Sequence, residues 1–509
     1  MTLRETVETI NKIEQAFPVQ TLTYKQLKIW PICRVSLAQM LSSPSSRITP
    51  QKRKKELYSL RDLRYRLKES HQIYQKVKAS VAAANEQSWQ SYATASPTDI
   101  LFFCKPNERK EIVQGKYFSK FSNSLAHFAQ GYHFKIIEFT DGHFLKEEKF
   151  GESVYIDDVL TRVDYEVYQQ LVLLKLGLRR RSTVREWSTF TATLQQMGIT
   201  YPVTEEVLVE QLERILLYKK HFVRMLKQFN PRLIFLCCFY HDYAFALTLA
   251  ANECGIKVVE LQHGQQGAYH FMYSHWHQYP AEGYEVIPQL FWMWSKANVA
   301  RIEQWAGKSK RHRVVVGGNP WLGYQVHHPL KNEKHKQLTS SLQKYKKVVL
   351  VALQFSTIPD YLLEAMQTRT DIYWFIRLHP RFLHEKSKVV EILSDVPSQH
   401  YNIEEANKLP IYTLFKLIDV QITCWSTVAY EALAFDVPTI LIHKNGYDAM
   451  KSYVDKKIFY YTENKQELLD LILQQEKYFQ PEEERYIAFD KPFIQAKLAS
   501  LLEEHPPKR

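Results

Sequence analysis

From residue 98 onward, short apolar runs alternate with longer amphipathic stretches. TDILFFCKP (98–106), FKIIEFT (134–140), RLIFLCCF (232–239), KVVELQHG (257–264) and HRVVVGGNP (312–320) have strand length and end in Gly, Pro or polar residues. Such alternation predicts parallel strands joined by crossover helices. A second series runs VVLVALQF (348–355), IYWFIRLHP (372–380), VQITCWS (420–426) and PTILIHK (438–444), with helices predicted over 359–369, 384–394, 409–418 and 427–435. Between the two series, HPLKNEKHKQLTSSLQKYKK (328–347) is charged and almost without large apolar groups, which predicts a linker. Two doubly wound domains fit this pattern better than one large sheet.

The expected organisation is therefore α/β. A mostly helical, basic extension spans 1–95, and two tandem Rossmann-like domains span 96–327 and 328–480 with a cleft between them. A helical tail over 481–509 is placed to cross back to the first domain. The length of 509 residues agrees, since single cores stop growing at roughly 250–300 residues. With 45% hydrophobic residues the chain can bury two cores. The net charge of +13 implies attraction to nucleic acid, an anionic membrane surface or acidic small molecules. Basic clusters at 51–68, 178–185 and 308–313 read first as solvated helix faces and loops, with a dedicated docking patch as the alternative. The 6 cysteines include no C-x-x-C pair and no zinc spacing, which predicts a reducing compartment and no structural metal. No secretory h-region opens the chain, and the apolar stretch 233–251 carries His241 and Asp242 in its middle, so neither a signal nor a span is expected.

In doubly wound sheets, ligands sit beyond the carboxyl ends of strands, where helix N-termini point into the crevice. WFIRLHPRFL (374–383) puts Arg377, His379 and Arg381 at such an end, and Pro380 stops the strand with His379 extended. An imidazole between two arginines suits a phosphate; the alternative is a histidine that caps a loop. CWSTVAYEALAF (424–435) ends a strand on Ser426 and Thr427 and starts a helix at once. Either hydroxyl alone serves as an N-cap worth about 1 kcal/mol, while both together describe a diphosphate cradle. Glu431, further along that helix, is placed to accept from ribose hydroxyls. LQFSTIPD (353–360) offers Gln354, Ser356 and Thr357 either as phosphate donors or as an ordinary helix entry at Pro359.

In the first domain, VVELQHGQQGAYH (258–270) ends a strand on Gln262, His263 and Gly264, followed by Gln265, Gln266 and Gly267. The glycines permit a tight turn and close approach of a ligand. A His-Gly strand end in one domain and a His-Pro strand end in the other suggest a site between them. His241-Asp242 and Asp141-Gly142 also follow strands; Asp242 is an N-cap or a base, and Asp141 a turn residue or a catalytic carboxylate.

With LQHG and VVVGGNP in the first half and RLHP and CWSTVAYEAL in the second, the chain resembles the GT-B glycosyltransferases of bacterial surface-polysaccharide assembly. That group includes capsule-type Kdo transferases, sialyltransferases and teichoic-acid glycerophosphotransferases, and the resemblance covers about residues 96–480. It implies a second domain that holds an activated nucleotide donor through His379, Ser426 and Thr427, and a first domain that holds the acceptor. It also implies no metal and no cofactor beyond the donor. The departures are specific. Thr140 precedes Asp141-Gly142 where sialyltransferases carry a second acid, and no Trp precedes His263 as in glycerophosphotransferases. WSTVAYE stands where related UDP-N-acetylglucosamine 2-epimerases show Ser-Gly-Gly.

The expectation is thus a cytoplasmic glycosyltransferase that moves a sugar, preferably a CMP-linked acidic one such as Kdo or sialic acid, to a capsule or lipopolysaccharide hydroxyl. Its base would be His263, Asp141 or Asp242, and its basic surface suits peripheral contact with an anionic inner membrane. Alternatives are CDP-glycerol-type polyol-phosphate transfer, UDP-sugar epimerisation and a catalytically dead scaffold of the same fold. A nucleic-acid-binding role is the remote alternative: the 31 tyrosines and 27 phenylalanines fall largely within apolar runs, and no nucleic-acid-binding module pattern occurs.

Overall fold

The structure, a computed structural model, describes residues 3–42, 98–139, 148–175, 182–264, 269–328, 333–426, 428–476 and 487–506. Asp141, Gln265, Thr427 and the basic stretch 51–68 lie outside them. The chain forms two compact units. One comprises Met1–Met293, Ala297–Pro320 and Ile494–Arg509, the other Trp294–Lys296 and Trp321–Phe493.

The sheet of the first unit contains β1 (Ile100–Phe103), β2 (Phe134–Glu138), β3 (Val154–Tyr155), β4 (Leu233–Cys237), β5 (Lys257–Leu261), β6 (Leu290–Met293) and β7 (Arg313–Val316). Its order is β3-β2-β1-β4-β5-β6-β7, parallel throughout. The direction of winding reverses between β1 and β4, and every residue of these two strands is buried, as expected of strands covered on both faces. The Gly-Gly of VVVGGNP has a packing role: a Cβ on Gly317 would lie 1.9 Å from the Trp292 ring, and Trp292 Nε1 donates to Gly318 O at 2.8 Å.

The N-terminal helices are part of this unit's core. Helix α1 (Leu3–Ala16) buries Val7, Ile10 and Ile13 along one stripe, and α2 (Trp30–Ser42) follows a short hairpin. Glu14 and Arg34, both fully buried, pair between the two helices. Glu14 also accepts from Trp30 Nε1 at 2.8 Å and from the His277 backbone N–H at 2.6 Å, and Arg34 Nε donates to Phe271 O at 2.6 Å. Removing one member of such a pair strands a buried charge, so the helices cannot detach cheaply. Two longer helices complete the part of the unit that matters below, α3 (Glu205–Phe229) and α4 (Asp242–Cys254).

The second unit contains β8 (Lys347–Leu353), β9 (Ile372–Leu378), β10 (Tyr401–Asn402), β11 (Val420–Thr423), β12 (Thr439–Leu441) and β13 (Phe459–Tyr461). The order β10-β9-β8-β11-β12-β13 is again parallel throughout and repeats the winding of the first sheet, with its reversal between β8 and β11. The expected α/β class with two Rossmann-like sheets is what the chain adopts.

The expected linker over 328–347 contains a helix, Glu333–Leu342, whose Leu342 is buried in the second unit's core. The helix placed at 384–394 is Lys386–Ile392, because Pro380–Glu385 forms a 3₁₀ turn first. The apolar stretch 233–251 divides into β4 and α4, and among the described residues no helix is long and apolar enough to cross a membrane.

Candidate functional site

At the reversal point of the first sheet, a cavity of about 810 Å³ lies at the carboxyl ends of β1 and β4. Helix α2 lines it with Ile32, Val35, Ser36 and Gln39, a single helical face, and α3 lines it with Gln211, Arg214 and Tyr218. The strand exits contribute Lys105, Asn107, Cys238, Tyr240, His241 and Asp242. Asp242 opens helix α4 and accepts from Gln211 Nε2 at 2.8 Å. Burial raises its carboxyl above the ordinary range, against the Gln211 hydrogen bond and the Arg214 charge. The N-cap is His241 instead: its Nδ1 accepts from the Ala244 backbone N–H at 3.3 Å. Burial, and then the nearby Lys105 cation, push the pKa of His241 down to about 3. The ring is therefore neutral with Nδ1 unprotonated, so its proton sits on Nε2, which has no hydrogen-bond partner among the described residues.

Behind the strand exits lie two buried carboxylates. Glu108 is within 3.7 Å of Lys105 Nζ, yet burial pushes its pKa up to about 8, and neither oxygen accepts a hydrogen bond among the described residues. Glu260, fully buried in β5, accepts from Tyr273 Oη at 2.5 Å and from the Cys238 backbone N–H at 3.0 Å. The same oxygen lies 3.4 Å from Nδ1 of His263, close enough for charge attraction although the angle falls short of a hydrogen bond. On the other side of that ring, Nε2 is 3.4 Å from Tyr240 Oη, which is equally far from His270 Nε2. His270 is held neutral, its pKa pushed down to about 3 by burial and by His263. Gln262 is buried and donates to Gly264 O at 3.0 Å. Gly264 needs no glycine conformation, since its φ is ordinary and a Cβ there would meet nothing.

The sequence pattern missed Glu108, Glu260, Tyr240 and Lys105. Glu260 did carry a signal, a carboxylate interrupting the apolar run of KVVEL. Glu108 carried none, because CKPNERKE reads as an ordinary polar turn.

In the second unit the exits of β8, β9 and β11 are level, with Leu353 opposite Leu378 and Ala352 opposite Thr423. Gln354 commits its side chain to the frame. Its Nε2 donates to Thr423 Oγ1 at 3.0 Å, and its Oε1 accepts from the backbone N–H groups of Cys424 at 2.9 Å and Trp425 at 3.3 Å. Arg377 likewise donates to Ala406 O at 2.5 Å and Leu409 O at 2.7 Å. Burial lowers its pKa, and Glu431 opposes that effect. Ser356 donates to Glu385 at 2.6 Å, and Thr357 is exposed.

Three of the remaining groups keep hydrogen-bonding capacity toward a ligand. His379 accepts the Arg381 backbone N–H on Nδ1 at 3.2 Å, which leaves Nε2 available. Ser426 accepts the Val428 backbone N–H at 3.3 Å and retains its hydroxyl proton. The Arg381 side chain is exposed, and Pro380 begins the 3₁₀ turn. A row of rings connects these exits: His379 to Phe382 at 6.3 Å, Phe382 to Phe355 at 6.2 Å, Phe355 to Trp425 at 5.0 Å and Trp425 to His443 at 4.7 Å. The row brings His379 and the Ser426 loop into one neighbourhood. Sequence reasoning passed over these rings because each follows a strand end singly.

Among the described residues, no group of three or more His, Cys, Asp or Glu side chains could hold a metal ion. No protein-family model matches the chain, and no curated protein sequence does. Solved structures do resemble it. The UDP-GlcNAc 2-epimerase of Neisseria meningitidis bound to UDP-GlcNAc is 12% identical, over 80% of this chain and 100% of that one, with a TM-score of 0.44. The UDP-GlcNAc 2-epimerase of Methanocaldococcus jannaschii is 12% identical over 80% and 100%, with a TM-score of 0.45. The wall teichoic acid polymerase is 11% identical over 86% and 97%, with a TM-score of 0.39.

Proposed function

We propose that the chain is a nucleotide-sugar glycosyltransferase that moves a sugar, preferably a CMP-linked acidic one, onto a hydroxyl of a bacterial surface glycan. The observation that carries this reading is His263, at the carboxyl end of a parallel strand and backed at 3.4 Å by the fully buried Glu260. In this role Nε2 of His263 takes the acceptor proton. The acceptor oxygen bonds to the anomeric carbon, and the bond from that carbon to the phosphate oxygen breaks. Glu260 offsets the positive charge that develops on the imidazole, a carboxylate–histidine division of labour. Asp242 is the second candidate base and Asp141 the third.

The charge leaving with the nucleotide falls to His379, Arg381, Ser426 and Thr427, and Glu431 takes the ribose. Fixed donors that stabilise such a departing charge usually supply the greatest share of the rate enhancement. Gln354 holds the loop that carries Ser426, Arg377 ties the end of its strand to the 406–409 segment, and Ser356 and Thr357 stand at the neighbouring strand exit. The excess of basic residues favours an acidic donor sugar and an anionic membrane surface nearby.

The test mixes the full chain with CMP-, UDP-, GDP- and CDP-linked donors, with and without glycan acceptors, and follows products by NMR. Sugar transfer with nucleotide release is expected, with a loss of about 10² to 10⁴ in rate for His263→Ala. Inversion of a UDP-sugar without acceptor would replace transfer by epimerisation. Polyol-phosphate transfer from a CDP donor would replace the sugar. A thermal shift with each free nucleotide identifies the donor's base independently of turnover.

A further inference from the structure

The cavity of the first unit has walls that the chemistry above does not use, and one of them is the N-terminal helix α2. The groups it presents are mostly donors. Lys105 and Arg214 supply two cations, and Arg214 Nε has no hydrogen-bond partner among the described residues. The Nε2–H of His241, without a partner among the described residues, is enclosed within the wall and not open to the cavity. Gln39 and Asn107 add amides, both on exposed residues. The opposing charges are few. Asp242 is engaged by Gln211, and Glu210 reaches Arg214 only at 3.6 Å. Burial raises the carboxyl of Glu108, the neighbour of Lys105, to about 8, and the two groups come no closer than 3.7 Å. Burial lowers the pKa of Lys105, but Glu108 and the other acidic groups around it more than offset that, so the cation persists, and its charge is felt at His241. The aromatic side of the wall, Phe139, Tyr240 and Tyr243, offers the flat apolar surfaces on which the C–H face of a pyranose rests.

We propose that this cavity binds a sugar bearing a carboxylate, with Lys105 and Arg214 at the carboxylate, the Asn107 amide at a hydroxyl, and Ser36 and Gln39 of α2 closing the site. The N-terminal helical pair thereby acquires a role, which is to select the saccharide. That this saccharide is the acceptor rests on the transfer reading above; that the cavity binds it does not. Lys105 and Arg214 are specificity residues rather than catalytic ones.

The experiment titrates the full chain with glucuronate, glucose and glucose 6-phosphate by calorimetry. Glucuronate should bind roughly tenfold or more tightly than glucose, and the preference should shrink as salt rises. Lys105→Met should bring glucuronate down to the level of glucose, while Lys408→Met, an exposed charge on the other unit, should change nothing. Gln39→Trp fills the cavity from an exposed position of α2, so it tests the site without endangering the core, and it should abolish glucuronate binding. Equal affinity for glucuronate and glucose, binding of neither, or glucuronate binding that survives Gln39→Trp would overturn the proposal. Tighter binding of glucose 6-phosphate than of glucuronate would overturn the carboxylate assignment. A chain that still shifts its melting temperature with a nucleotide but ignores glucuronate would retain the transferase reading and lose this one. A chain that binds glucuronate but no nucleotide would do the reverse.

Discussion

The exits of β1, β4 and β5 in the first unit are built around carboxylates and histidines, with Glu108, Glu260, His241, His263 and His270 within or against the core. The matching exits of β8, β9 and β11 in the second unit are built from Gln354, Thr423, Ser426 and a row of rings. Apart from the extra edge strand β7 of the first sheet, strand order and reversal point are the same. The interiors differ in kind: Glu14, Arg34, Glu108, Arg109, Glu138, Lys149 and Glu260 are buried in the first unit, whereas Asp436 is the one buried charged residue among those described in the second. One topology thus serves two chemistries. Buried charge shifts proton affinities and suits proton transfer, while neutral donors and rings suit holding a ligand without competing for its protons.

Breaking the charged interior should cost most. Arg109 makes a bidentate contact with Glu138 at 2.9 and 3.0 Å and also donates to Tyr117 O, Asn123 Oδ1, Phe150 O and Ser153 Oγ. Arg109→Met leaves Glu138 buried with Lys149 at 3.4 Å and the Tyr155 hydroxyl but without its bidentate partner, and a loss of about 3–5 kcal/mol is expected in chemical denaturation. A loss below about 0.5 kcal/mol would erase the distinction between the interiors.

The neutral frame should yield less. Gln354→Ala strands the Cys424 and Trp425 N–H groups and should cost about 1–3 kcal/mol, while nucleotide binding weakens because the Ser426 loop loses its tether. Unchanged nucleotide shifts in a folded Gln354→Ala protein would count against a framing role.

Taken per pH unit, the smallest effect is a slope with pH. Glu108 titrates at about 8 in the folded chain against an ordinary 4.5. Between those values the folded state holds a proton that the unfolded chain has released, so this contribution to stability declines as pH rises across the window, by at most about 1.4 kcal/mol per pH unit. Glu108→Gln should flatten that decline. On the acid side, His241 and His270 titrate at about 3 and His312 at about 4, against an ordinary 6.5. Their contribution is complete above pH 6.5 and is lost as pH falls toward those values. Both flanks originate in the first unit, and a denaturation series from pH 4 to 9 measures them.

The doubly wound architecture was legible because strands covered on both faces read as continuous apolar runs, as LIFLC and VVLVAL do. The short strands Val154–Tyr155, Tyr401–Asn402 and Phe459–Tyr461 escaped notice, since two or three residues carry no period. The helix Glu333–Leu342 hid in a charged stretch because few of its positions meet the core. Strand exits were found through His-Pro, His-Gly and Ser-Thr, yet their side chains divide in a way that spacing could not announce. Gln354 and Arg377 turn back to bind main chain, and His379 and Ser426 keep capacity for a ligand. The cavity under α2 was beyond sequence reasoning, because it joins residues 32–39 to 105–107 and 211–245 through folding alone.

Gly446 sits in the first turn of the helix Lys444–Asp455, where a Cβ would come within 1.8 Å of the Cys424 carbonyl oxygen. Main chain therefore meets main chain there, and one hydrogen atom is the whole spacer between the helix and the exit of β11. The rings of Trp425 and His443, 4.7 Å apart, flank that contact. Exchanging one ring for another alters the surface a visitor meets while the ledge beneath keeps its width; adding a single methyl to Gly446 would move the ledge itself.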